Sequence, residues 1–335
     1  MQWSFKKDSI TTIVALLVFV LSLGFLVSQP TLEPQSQEGQ AKYVKAENLK
    51  QQLYTMVEKF NDRSYENMEV LNAMAGYLHD ELALYADEVH YQTYTLNGLL
   101  LDEEYEYKNV IATFKGRESC DEELMVVGAH YDTYRGYMGA NDNTSAVAGL
   151  LELARLLKSH RPQCNTELVA YTLEEPPAFA TEKMGSFIHA KRLKEQGVKV
   201  RLALVMEVIG SFSDEPNSQH YPIPLMDWYY PTVANYIAVV SNLSNIFSVR
   251  EVKDVLKKSS DLPVYSINAP SFIEGVDFSD HRNYWKFDYP ALMITDTAFY
   301  RSNTYHTTKD TPERLDYEKM AKVVEGVFYV VRGDE

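Results

Sequence analysis

Along the chain, the pattern of apolar and polar positions changes in a way that outlines the fold. An uninterrupted uncharged run from Ile10 to Val27 comes first; at roughly 18 residues it is about the minimum for a bilayer span. From about Ala41 the pattern is helical, with one stripe of Leu49, Leu53, Met56, Val57 and Phe60 and a second of Val70, Met74, Tyr77 and Leu78. Val89–Leu96 and Tyr105–Lys115 then alternate apolar and polar residues around an Asn97-Gly98 turn signal, which predicts an antiparallel pair. Four short apolar runs come next, Leu124–Ala129, Leu168–Leu173, Leu202–Met206 and Ala291–Thr295, separated by stretches with helical patterns. One such helix carries Val147, Leu150, Leu151, Ala154 and Leu157, with Asn143 or Thr144 placed to cap it. The last carries Met320, Val323, Val324, Val327 and Phe328 behind a capping Asp316.

This order predicts an α/β fold: a mostly parallel, mixed central sheet flanked by helices, preceded by one N-terminal transmembrane helix. The expected division is a cytoplasmic N-terminus at 1–9, a signal anchor or signal peptide at 10–27, a linker at 28–40 and one domain at 41–335. No internal repeat or second-domain boundary is visible. Lys6 and Lys7 precede the apolar run, and no small-x-small cleavage site stands out at Val27-Ser28-Gln29, which favours an uncleaved anchor. Basic residues on the short N-terminal side place that side in the cytoplasm and the domain outside it, or secreted if the segment is cleaved. Ser28–Gln40, rich in Gln, Pro, Ser and Glu, reads as a spacer.

Charge narrows the partners. A formal net charge of -15 argues against nucleic acid and against an anionic membrane surface, both of which need clustered Lys and Arg. The two cysteines, Cys120 and Cys164, each stand a few residues upstream of an apolar run. If those strands are neighbours, the two can pair in an oxidising compartment, at the end of the sheet away from any chemistry.

The ionisable residues that stand after the apolar runs suggest the chemistry: His130 and Asp132, then Glu174 and Glu175, then Glu207, then Asp296 with His306 ten residues on. A charged residue after one strand is usually the chain returning to water. Parallel strands, however, gather such residues along one edge, where ligands bind in open α/β sheets. Crowded carboxylates repel unless cations neutralise them, and mixed imidazole and carboxylate donors suit Zn²⁺ or another divalent first-row ion. Two His and at least three carboxylates exceed what one catalytic zinc takes and suit two metals sharing a bridging carboxylate.

The segments GAHYDT, GANDNTSAVAGLLELARLL, TLEE, VMEVIG, FSDH and YHTTKDT, in that order, resemble the co-catalytic dinuclear zinc peptidases that include bacterial leucyl aminopeptidases and glutamate carboxypeptidases. The resemblance runs from roughly Asn109 to the C-terminus. It implies two Zn²⁺ ions per chain, with His130 and Glu207 on one metal, Glu175 and His306 on the other, and Asp142 bridging them. Glu174 is then the general base and Asp132 the group that holds the His130 ring. The implied reaction is hydrolysis of N-terminal residues from a peptide substrate by attack of a metal-bound hydroxide on the polarised carbonyl.

The chain departs from the family pattern in two places. Many members carry Asp where this chain has Glu207, and in many the Glu-Glu pair leads quickly to a Gly-Ser turn, whereas here Pro176–Met184 intervenes before Gly185-Ser186. Ser279-Asp280-His281 matches a segment near the metals in the family. A glutaminyl cyclase, which shares this fold with a single zinc, is the main rival; retention of His130 and Glu207 beside the other ligands argues against it. A carboxypeptidase would call for an Arg cluster to grip a carboxylate, and none is evident. A non-enzymatic ectodomain on the same scaffold would be expected to lack ligands or base. Tyr221–Tyr230 and Phe299-Tyr300 are aromatic enough to wall a substrate pocket, although packing is an equal use for them.

Overall fold

The computed structural model describes residues 2–97, 104–118, 120–224 and 226–333. Its centre is an eight-stranded sheet in the order β1-β2-β4-β3-β5-β8-β6-β7. β1 (Glu88–Asn97) and β2 (Glu104–Phe114) form the expected antiparallel pair; Gly98, in the expected turn, lies outside the described residues. β2 also runs antiparallel to β4 (Thr166–Tyr171). β4, β3 (Leu124–His130), β5 (Val200–Glu207) and β8 (Ala291–Thr295) are parallel, and they are the four apolar runs. Two further strands have no counterpart in the predicted pattern. β6 (Ile237–Ser241) is antiparallel to β8 and β7 (Val264–Asn268) parallel to β6. At five residues each, they carry too little periodicity to stand out from the Tyr- and Pro-rich loops around them.

Strand side chains alternate between two cores. Val127, Ala129, Leu168, Leu204 and Met206 point into a large core with helices α2 (Ala46–Lys59), α3 (Met68–Ala83), α4 (Ala146–Ser159), α6 (Ile246–Ser259) and α8 (Tyr317–Arg332). Val126, Val169 and Ala203 point into a smaller one, covered by α5 (Gly185–Glu195) and α7 (His281–Trp285). α8 buries the stripe the sequence predicts, α2 buries its own except for Phe60, which is half-buried just past the helix end, and the Asp316 carboxylate accepts from Lys319 N as the α8 cap. α3 is turned slightly: Leu71, Met74, Ala75, Leu78 and Leu82 are buried, while Val70 and Tyr77 are half-buried. α4 is buried almost all round, because it lies between the sheet and the α2 and α8 layer.

The cap expected on α4 is not there. Ser145 occupies that position without a side-chain cap; Thr144 Oγ1 donates to Gly139 O, and the Asn143 amide is committed to the end of β5, accepting from Val208 N at 2.9 Å. Cys120 and Cys164 form a disulfide, as the adjacency of β3 and β4 permits.

Helix α1 (Gln2–Ser28) contains, among the described residues, the one segment long and apolar enough to cross a membrane, Ile10–Ser28. The stretch after it has the composition of a spacer but is docked on the domain as a strap. Gln35 Nε2 donates to Lys257 O, Ser260 O and Leu262 O, and Asp261 N donates to Glu38 O. The sequence shows no such strap because its partners are backbone groups far along the chain.

Candidate metal centre

The parallel strands deliver their C-terminal residues to one edge. His130 ends β3, Glu207 ends β5, and Glu174-Glu175 lie just beyond the end of β4. The backbone turns sharply at these points. Leu173 (φ 57°), Val208 (φ 42°) and His306 (φ 51°) all occupy the left-handed region, which costs a non-glycine residue energy and is found where a site must be held in a set geometry. Asp142 comes from the loop between β3 and α4, where Gly139 (φ 60°) makes room: a Cβ there would lie 2.2 Å from Asp142 O.

Two sets of donors converge: His130, Asp142 and Glu207, and Asp142, Glu175 and His306, with the donor atoms of each set within 4.8 Å of one another. Asp142 is common to both. Its Oδ1 lies 3.4 Å from His130 Nε2 and its Oδ2 3.0 Å from His306 Nε2. Glu207 Oε2 lies 3.3 Å from His130 Nε2, and Glu175 Oε2 lies 3.2 Å from His306 Nε2. Glu174 Oε2 stands 3.9 Å from His130 Nε2, outside both sets.

The surrounding residues hold these groups rigidly. Asp132 has two tasks. Its carboxylate accepts from Glu174 N at 3.1 Å and Glu175 N at 3.0 Å, and its backbone carbonyl faces His130 Nδ1 at 3.1 Å, closer than its Oδ1 at 3.4 Å. Asp310 accepts from Asn141 N and Asp142 N, and Ser279 Oγ donates to Glu207 Oε2 at 2.7 Å. Asp296, the charged residue after β8, does not enter the cluster; it accepts from Asn141 Nδ2, Ser211 N and Ala298 N and so ties three loops together.

So many buried acids cannot all ionise unaided. Burial, with Asp142 nearby, pushes Glu175 up to about 8, and burial drives Glu174 well above the usual carboxylate range against the opposing pull of His130. Burial also acts on Asp142, but the His130 and His306 rings beside its two oxygens outweigh it and hold that carboxyl below its ordinary value. His306 is raised to about 10, because Asp142 and Glu175 outweigh the effect of burial. Cationic charge at the centre would relieve this cluster. His130 Nε2, Asp142 Oδ2, Glu175 Oε1 and His306 Nε2 are buried without a hydrogen-bond partner, as expected of atoms that face a metal. The donor set fits two divalent ions of the zinc type.

Residues 109–331 match the model of Peptidase family M28. The chain belongs to that family. Among relatives of this M28 chain, the uncharacterised protein YfbL of Escherichia coli (strain K12) is 41% identical over 96% of this chain and 98% of its own length. A probable leucine aminopeptidase of Trichophyton verrucosum (strain HKI 0517) is 26% identical over 84% of this chain and 71% of its own. Two solved structures from Bacteroides thetaiotaomicron share the fold at 18% identity, and each covers 88% of this chain. One is a glutaminyl cyclase bound to N-acetylhistamine, matched over 100% of its own chain with TM-score 0.67. The other is a leucine aminopeptidase precursor, matched over 99% of its own chain with TM-score 0.65.

Beside the M28 centre lies an apolar pocket of about 820 Å³, including the part open to solvent. Glu207 and Tyr305 border it on the metal side, and Tyr221, Tyr236, Tyr265 and Phe299 are among its walls, which accounts for part of the aromatic stretch seen in the sequence.

Two features of the centre escape sequence reading. Asp310 lies within a quoted motif yet carries no signal of its own. Arg63 looks like a surface residue after Asn61-Asp62 but is wholly buried beneath the site. It donates to Tyr131 O, Phe60 O, Met138 O and Thr144 Oγ1, bracing the loop that carries Asp142. Arg63→Met leaves four acceptors without a donor and is expected to destabilise the fold by about 3–5 kcal/mol, read as a drop in denaturant midpoint.

Of Ser279-Asp280-His281, Ser279 reaches Glu207, whereas the side chain of His281 meets Val276 and Trp285. Its Nε2 donates to Val276 O at 2.8 Å, and its ring meets Trp285 edge-on. Nδ1 is buried with no partner, and burial lowers the ring to about 4. Because the folded value lies below the unfolded value near 6.5, stability is full above that pH and declines as pH falls from about 6.5 towards 4. His281→Gln, which does not titrate, should lose about 2–3 kcal/mol less than the parent between pH 7 and pH 4.5 in urea unfolding. Among the other histidines, His189 is buried in a network with Glu167, Tyr284 and Arg192 away from the ligand sets, and His220 lines the pocket.

Proposed function

We propose that this M28 chain is a zinc-dependent aminopeptidase that removes N-terminal residues from peptides. The observation that carries the reading is the shared Asp142, with one oxygen towards each donor set and a free carboxyl, Glu174, alongside. His130 and Glu207 would hold one ion and Glu175 and His306 the other, with Asp142 offering an oxygen to each. Two zinc ions held there would supply Lewis-acid polarisation of the scissile carbonyl and acidify a water.

Glu174, outside both donor sets and 3.9 Å from His130 Nε2, takes the proton of the attacking water and passes it to the leaving amine. Asp132 keeps the Glu174 and Glu175 backbones in register with the His130 ring. The apolar aromatic pocket takes the side chain of the N-terminal residue, and the acidic surroundings favour its free amine. We assign residues 10–27 as an uncleaved signal anchor, 28–40 as the connection and 41–335 as the catalytic domain, held on the extracytoplasmic side.

The test is hydrolysis of aminoacyl chromogenic amides by the full chain in detergent, with free and acetylated N-termini and with and without chelator. Cleavage of only the free-amine forms, abolished by chelator and restored by Zn²⁺, is the expected result. Silence from protein that holds metal overturns the aminopeptidase reading, and cyclisation of an N-terminal Gln substrate in place of hydrolysis redirects it to a cyclase.

A further inference from the structure

Where α1 meets the domain, the contact begins inside the helix. Gly24 closely approaches Tyr229, so that a Cβ there would lie 3.3 Å from its ring. The Arg250 guanidinium lies over the Phe25 ring at 5.5 Å. Lys253 Nζ donates to Ser28 O at 3.0 Å and Gln29 O at 3.1 Å, and Ser266 Oγ donates to Ser28 O at 2.8 Å. The domain is therefore clamped to the last turn of α1 and does not swing on a tether.

Around that clamp, large apolar side chains face outward. Trp228 is 76% exposed and Phe247 83%, with Tyr229 and Leu243 more than 40% exposed beside them. Phe247 stands one turn before Arg250 on α6 and so shares its face, the face that meets Phe25; Leu243 precedes it by another turn. Scattered exposed apolar residues need no explanation, but a group bordering a helix of bilayer length does.

We propose that this face lies in the bilayer interface, with Trp228 and Tyr229 forming an aromatic collar where α1 leaves the membrane. The proposal rests on α1 being an uncleaved membrane helix. Ile10–Ser28 spans about 28 Å as a helix, close to the hydrocarbon thickness. Gly24, the contact of Tyr229, then lies about 6 Å before the helix end, the depth at which Trp and Tyr collect. Arg250 and Lys253 at this face are engaged with α1 and the exposed Trp228, Phe247 and Leu243 are apolar, so the occupant is the apolar boundary of the lipid itself. Met226 and Tyr230, on either side of Trp228 and Tyr229, line the pocket, which places one pocket wall beside the lipid.

The probe is the full chain in phosphatidylcholine vesicles, with or without bromine on the acyl chains. In a Trp3→Phe background only Trp228 and Trp285 emit, and Trp285 is tied inward by its indole N–H to Ala291 O. Brominated lipid should cause a loss of emission in Trp3→Phe that disappears in Trp3→Phe/Trp228→Phe. Alkaline carbonate extraction of the same vesicles reports separately whether α1 is embedded. Resistance to extraction without quenching of Trp228 overturns the interface, as would be found if a partner protein covered the patch. Release by carbonate overturns the membrane reading of α1 and the proposal with it.

Discussion

Replacement of Glu174 by Gln is expected to lower kcat/KM by about 10³-fold while two metal ions per chain are retained. The amide has nearly the same shape but cannot accept the proton, and Glu174 lies outside both donor sets. Full activity would disprove the role of base, and loss of metal would show that Glu174 is a ligand.

Asp142→Asn is expected to behave differently. Asp142 is the only residue common to both donor sets, and it faces a histidine with each oxygen. An amide offers one acceptor where the carboxylate offers two and removes the negative charge that two cations would share. Metal content should fall below two ions per chain, affinity should weaken by more than the roughly 100-fold that loss of an outer partner costs, and activity should fall with it. Two tightly retained ions, measured by elemental analysis after dialysis, would refute the bridging assignment.

The two variants separate chemistry from binding, and the residues they touch differ in how plainly the sequence displays them. His130, Glu174, Glu175 and Glu207 are visible because parallel strands end together, so residues after apolar runs must meet. The same logic points wrongly to Asp296, because a strand end can serve loop architecture as well as chemistry. Arg63 cannot be seen: its partners are mostly carbonyl oxygens, and carbonyls leave no mark in a sequence. For the same reason the strap reads as a spacer and the Asn143 amide as a helix cap. β6 and β7 stay hidden because five residues are too few to establish a period. Patterning thus reports what is apolar and what is charged, and it is silent on which backbone groups are claimed by distant side chains.

The strap also bears on self-association. β7 is the outermost strand of the sheet, and an uncovered outer strand invites pairing with another chain. Ser28, Gln35 and Glu38 lie along β7 and the turn that leads into it, tied to Ser266, Leu262 and Asp261. A soluble form cut at Gln40 would bare this edge and leave Lys253 Nζ without two of its three acceptors. The polar stretch after the apolar helix thus doubles as a guard against aggregation, and soluble versions of the chain should keep it.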